Sequence, residues 1–97
     1  MVVYLSGPIT GDPRFAEKFA QWDVKLTDKG FKVINPACLP VSLNPKSYMP
    51  VCLSMLEQAE AIVMLPGYEN SKGAMLELRY AEYQGKRILY ANGDELS

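Results

Sequence analysis

The sequence predicts an α/β domain built on a parallel sheet, and three observations carry that expectation. Short apolar runs closed by Gly, Pro or Asn alternate with segments of helical period, in the order βαβαβαβ. Two of those runs, residues 2–5 and 61–65, are apolar at every position, as strands covered on both faces are. Right-handed crossovers are almost the only permitted connection between such strands, so helices should lie on both sides of the sheet. The expected fold is thus a small doubly wound parallel sheet of four to five strands, a flavodoxin- or Rossmann-like three-layer sandwich. At 97 residues the chain is one domain, spanning 1–97, with room for a single active centre.

Each element follows from local signals. Residues 2–5 form the first strand, closed by Ser6, Gly7 and Pro8. Asp12 before Pro13 reads as an N-cap with proline at the first helical position, and Phe15, Phe19, Trp22 and Leu26 recur at helical spacing until Gly30. Residues 31–34 make a second strand, ended by Asn35 and Pro36. Residues 37–46 carry Pro40 and Pro45 without a clear period and read as a loop. Ser47 can cap a second helix with Pro50 in its first turn, running to about residue 58 through Cys52, Met55 and Leu56. Residues 61–65 form the third strand, broken by Pro66 and Gly67. Ser71 caps a third helix over residues 72–84, Gly85 stops it, and residues 87–90 form the last strand before a polar tail at 91–97.

Composition removes several functional classes. Ten Lys and Arg against eleven Asp and Glu give a net charge of −1, which provides no basic field for a nucleic-acid polymer. No apolar stretch is long enough to span a membrane, and the amino terminus lacks the pattern of a signal peptide, so a cytoplasmic protein is expected. The chain has no histidine, which excludes Ser-His-Asp triads, Cys-His pairs and HExxH zinc sites. Chemistry would have to run on carboxylates or tyrosines. Cys38 and Cys52 are too few for a zinc site and are read as free thiols, Cys52 as a small buried apolar group. Neither a metal nor a cofactor is expected.

In a doubly wound sheet, ligands bind beyond the carboxyl ends of the strands, where strand order reverses. That singles out the loop Gly7, Pro8, Ile9, Thr10, Gly11, Asp12 and the loop from Pro66 through Gly67 to Lys72. The first matches neither a GxGxxG nor a P-loop pattern, so a plain strand-to-helix turn is equally open. On the third helix, Ala74, Leu78 and Ala81 form a stripe facing the sheet, and Glu77 lies roughly 60° from its centre. Helical side chains lean toward the N-terminus, so Glu77 can project toward the ligand edge and act as nucleophile or base. A solvated glutamate paired with a neighbouring cation is the plainer alternative. Leu76, Tyr80 and Tyr83 cluster on the opposite face, and Met49 and Leu53 widen the apolar face of the second helix. That excess of apolar surface predicts a homodimer or higher homo-oligomer.

Four segments, residues 4–11 (YLSGPITG), 33–37 (VINPA), 58–63 (QAEAIV) and 73–81 (GAMLELRYA), resemble the nucleoside 2-deoxyribosyltransferase superfamily in the right order. The resemblance runs from Met1 to about Leu89 and looks closest to a small, phage-associated branch. It implies a nucleoside or nucleotide ligand and no cofactor. Glu77, in the G-x-x-x-E-x-x-x-A segment, would attack the anomeric carbon of a deoxyribosyl group to form a glycosyl-enzyme ester. Tyr4 matches a tyrosine beside the nucleophile, Ser71 a residue contacting the sugar or its phosphate, and Gly7 to Gly11 the loop that receives the sugar. Ser6, Gly67 and Gly73 complete the expected substrate-binding set. Where relatives carry Ala-Asp before the third strand, this chain has Ala59-Glu60, which makes Glu60 the candidate second acid. Thr10 stands where an arginine often serves phosphate binding. Three readings follow: an N-glycosidic enzyme, a non-catalytic nucleotide-binding or sensing module, and a structural protein that uses only the fold.

Overall fold

The computed structural model describes residues 1–9, 11–38 and 45–91. Four strands, β1 (Val2–Ser6), β2 (Lys32–Ile34), β3 (Ala61–Met64) and β4 (Arg87–Tyr90), form one parallel sheet in the order β2-β1-β3-β4. Helices α1 (Phe15–Asp28), α2 (Pro45–Glu57) and α3 (Lys72–Tyr83) connect them. The chain leaves β1 for β2 on one side and returns past β1 to β3 on the other, so the order reverses between β1 and β3. This is the expected three-layer, flavodoxin/Rossmann-like arrangement.

The period-2 alternation of the strands divides the core into two layers. Val3, Leu5, Ala61, Val63 and Leu89 pack with Phe19 and Leu26 of α1 on one face. Tyr4, Ile62 and Met64 pack with Cys52 and Leu56 of α2 and with Ala74, Leu78 and Ala81 of α3 on the other. Register sets Tyr4 beside Ile62, and Ser6 beside Met64, which is itself beside Tyr90. Both α1 and α3 end as their glycines suggest. Phe31 N–H bonds to Leu26 O and Gly30 N–H to Thr27 O, while Lys86 N–H bonds to Ala81 O and Gly85 N–H to Glu82 O, the paired bonds of a Schellman motif.

Several sequence expectations need correction. Helix α1 starts at Phe15, with Arg14 at the N-cap position and no side-chain cap. The Asp12 carboxylate instead accepts from Arg14 N–H at 2.9 Å and from Lys18 Nζ at 2.9 Å, so it folds the turn that precedes the helix. Helix α2 begins at Pro45, two residues before the expected Ser47 cap, because proline suits a first turn whose N–H groups have no helical partner. Pro50 consequently lies inside the helix. Strand β2 starts at Lys32, since Phe31 is used to close α1; β1 extends to Ser6 and β3 stops at Met64. Tyr80 does not join an exposed patch. It packs against the α2–α3 layer, and its hydroxyl donates to Glu57 Oε1. Met49 and Leu53 are likewise half-buried against that layer, whereas Leu76 and Tyr83 are exposed. Among the described residues Cys52 is a free, buried cysteine; the Cys38 side chain, most of the proline-bearing loop (39–44) and the tail beyond residue 91 lie outside them.

No helix among the described residues is long and apolar enough to cross a membrane.

Candidate functional site

The site is built where β1 leaves the sheet. Tyr4 and Ser6 are two residues apart on β1 and so present their side chains to the same face, the one covered by α2 and α3. On α3, Ser71 caps the first turn by accepting from Ala74 N–H at 3.2 Å, and this fixes which residues turn inward. Ala74, Leu78 and Ala81 are buried as their spacing predicts, and Glu77 is buried with them at 6% exposure. Its carboxylate reaches across to β1. Tyr4 donates from its hydroxyl to Glu77 Oε2 at 2.7 Å, and Ser6 donates to Oε1 at 2.6 Å.

The glutamate is therefore not the solvated, cation-paired residue that spacing left open. Burial raises its pKa, and the hydrogen bonds from Ser6 and Tyr4 work in the opposite direction by favouring the anion. No lysine or arginine is among the groups that act on it. Tyr4 is pushed far above the ordinary phenol range, first by burial and then by the negative charge of Glu77, so it remains a donor. Each carboxylate oxygen thus accepts from one hydroxyl, in the buried layer beneath the carboxyl end of β1.

Two loops meet above it. Gly7 is buried, and a Cβ there would lie 2.9 Å from Leu65 Cβ, so glycine permits the β1 and β3 exits to touch. Leu65 N–H donates to Ser6 O at 2.8 Å across the same junction. Gly67 takes a left-handed φ of 87°, and its Cβ position is 3.3 Å from Pro8 Cγ. The structure thus brings Gly7, Pro8 and Gly67 together at the strand-order reversal, with Ile9 half-buried against the α1 layer. Gly11 is exposed, and Thr10 lies outside the described residues. Gly73 sits one helical turn above Glu77, where its missing side chain is replaced by Met49 from α2; a Cβ would lie 3.1 Å from Met49 Cε.

Glu60 does not belong to this site. It immediately precedes β3, and its Oε1 accepts from Val2 N–H at 3.1 Å at the amino end of the sheet. Val2 is four residues before Ser6, about 13 Å away along an extended strand. The assignment of Glu60 as second acid is corrected accordingly, because the residue before a parallel strand lies at the edge opposite the ligand crevice.

Cys52, read as a small buried apolar group, is fully buried in the layer that holds Tyr4, where burial pushes its thiol up to about 11. Sequence reasoning missed that Ser6, expected among the substrate-binding residues, holds Glu77 Oε1; its spacing of two from Tyr4 on the same strand was the available signal. Tyr48, half-buried against the same layer, donates from its hydroxyl to Pro36 O at 2.9 Å. Among the described residues there is no group of three or more His, Cys, Asp or Glu side chains placed to hold a metal ion.

The family described as a domain of unknown function, DUF4406, matches residues 1–90. The chain belongs to that family. The DUF4406 match extends from β1 through β4 and so contains every member of the Glu77 cluster. No curated protein matches the chain.

Proposed function

We propose that this DUF4406 protein cleaves or transfers the N-glycosidic bond of a deoxynucleoside or deoxynucleotide in the cytoplasm, with Glu77 as nucleophile. The observation that carries the reading is the buried Glu77 carboxylate, held by Tyr4 and Ser6 beneath the strand-order reversal. A carboxylate oxygen attacks the anomeric carbon, the bond from that carbon to the base nitrogen breaks, and its electron pair leaves with the base. Water or a second base then attacks the same carbon, and the carboxylate is released. Tyr4 and Ser6 would aim the nucleophile and stabilise its charge, while the loops from Gly7 to Gly11 and from Gly67 to Ser71 receive the sugar end.

One observation favours a second reading. With Glu60 at the far end of the sheet, the expected proton donor for the leaving base is absent from the Glu77 cluster, as it would be in a module that binds nucleotides without turnover.

Incubation of the protein with deoxynucleosides and deoxynucleoside monophosphates, followed by chromatography for free base, separates the two. The enzyme reading expects base release that Glu77→Gln abolishes, by at least about a thousandfold for a lost nucleophile, with folding intact. Tyr4→Phe should lower the rate far more than the melting temperature. Ligand binding without release from any substrate would establish the binding module, and a Gln variant at full rate would remove Glu77 as nucleophile.

A further inference from the structure

The two oxygens of Glu77 are held at different depths. Tyr4 and Ser6 lie two residues apart on β1, about 7 Å along an extended strand, and Ser6 is the last residue of that strand, directly before Gly7 and Pro8. A carboxylate that accepts from both at 2.7 and 2.6 Å has Oε2 turned toward the core and Oε1 toward the carboxyl end of the sheet, where the ligand edge lies. The donors also differ in freedom. Tyr4 has no exposed surface, and its hydroxyl is carried by a ring packed in the same cluster as Leu56, Ile62 and Leu78. A serine hydroxyl turns about a single χ1 bond, and the Ser6 backbone is fixed independently, since Leu65 N–H donates to Ser6 O at 2.8 Å.

We propose that Oε1 is the attacking oxygen and Ser6 its releasable donor, a positioning residue, while Tyr4 anchors Oε2 and sets the direction of the carboxylate. This rests on the nucleophile reading above and divides the work within it. As the bond from Oε1 to the anomeric carbon forms, the bond from that carbon to the base nitrogen breaks, and its electron pair departs with the base. In the ester, Oε2 is the carbonyl oxygen and still accepts from Tyr4. Oε1 is then bonded to two carbons and accepts poorly, so the Ser6 hydroxyl turns away with its hydrogen. When water or a second base takes the sugar, Oε1 regains its charge and the Ser6 bond re-forms. Ser6 therefore favours the free anion, and Tyr4 favours both states. The titratable groups coupled to Glu77 are Tyr4 from β1 and Tyr48 and Cys52 from α2. Burial pushes the Cys52 thiol up to about 11 and both tyrosines above the ordinary phenol range, so none of them changes charge in acid and the acidic limb of turnover reports Glu77.

Ser6→Ala, Ser6→Thr and Tyr4→Phe in the full chain, compared with wild type, test this in two measurements. Carbon-detected NMR on glutamate-labelled protein, assigned with Glu77→Gln, follows the titration midpoint of the Glu77 carboxyl. Loss of either donor should raise it by about one pH unit, the scale of one bond to a charged group, whereas Ser6→Thr keeps a hydroxyl and should stay near the wild-type value. A Ser6→Ala midpoint equal to that of wild type would overturn the proposal. The second measurement is the pH profile of base release from the fastest substrate among deoxynucleosides and deoxynucleoside monophosphates. Ser6→Ala should move the acidic limb upward with its midpoint and lower the plateau by less than about tenfold, because Tyr4 still aims the carboxylate. Tyr4→Phe should lower the plateau itself by about a hundredfold, the cost of a misdirected nucleophile. Equal plateau losses, or a larger one in Ser6→Ala, would remove the division of roles and leave Glu77 as nucleophile. No base release from wild type would remove the nucleophile reading and this assignment with it.

Discussion

Glu77 carries a raised pKa because burial disfavours its anion by more than its hydroxyl donors favour it. In the unfolded chain the carboxyl returns to the ordinary value of 4.5, so between that value and the native one the folded protein binds more protons. The stabilising contribution of the residue is complete below about 4.5 and is lost as pH rises through the native value. Melting temperatures of wild type and Glu77→Gln, compared from about pH 4 to about pH 8, should therefore diverge in favour of the Gln variant as pH increases. A constant or narrowing gap would show that the native pKa is not raised. The Tyr4–Glu77 bond was legible in the sequence, because a hydroxyl on a buried strand needs a partner and Glu77 was the carboxylate on the facing stripe. The Ser6–Glu77 bond was not, because it depends on how closely α3 approaches β1, which no local pattern encodes. The end of the sheet at which Glu60 lies was readable from its place before β3, and the resemblance to Ala-Asp pairs obscured it.

At the scale of elements, strand and helix order was fully readable, and the errors gathered at helix starts. Asp and Pro favour both an N-cap and the turn before one, so Asp12-Pro13 fitted either until Lys18 fixed the carboxylate outside the helix. The close junction of β1 and β3 is more demanding. Gly7→Ala would place a methyl group 2.9 Å from Leu65 Cβ, a carbon bonded directly to the backbone that cannot swing aside. We expect a loss of about 1–3 kcal/mol in denaturant unfolding, the range for overpacking a close contact. An unchanged midpoint would mean that the two loops separate easily. Gly73 faces a softer neighbour, since the Met49 thioether has several rotatable bonds.

For the whole molecule, the structure narrows the surface open to self-association. Both faces of the sheet are covered by the chain's own helices, and Tyr80 is tied to α2, which leaves Leu76 at 50% and Tyr83 at 87% exposure on the outer side of α3. We propose that this face pairs with a second copy, a self-complementary contact of the kind a two-fold axis provides. Light scattering at micromolar concentration should give at least twice the chain mass, and Tyr83→Glu should return it to the monomer by placing an unpaired charge in the contact; a monomeric wild type would refute the idea. The Glu77 cluster has a different consequence at this scale. Its partners Tyr4 and Ser6 are 73 and 71 residues away along the chain, so the bonds close a loop from β1 to α3 that takes in β2, α2 and β3. A chain emerging during synthesis presents both hydroxyls long before the carboxylate that will use them exists. The cluster can form only after α3 has docked over β1, so its bonds belong to the late, non-local part of folding.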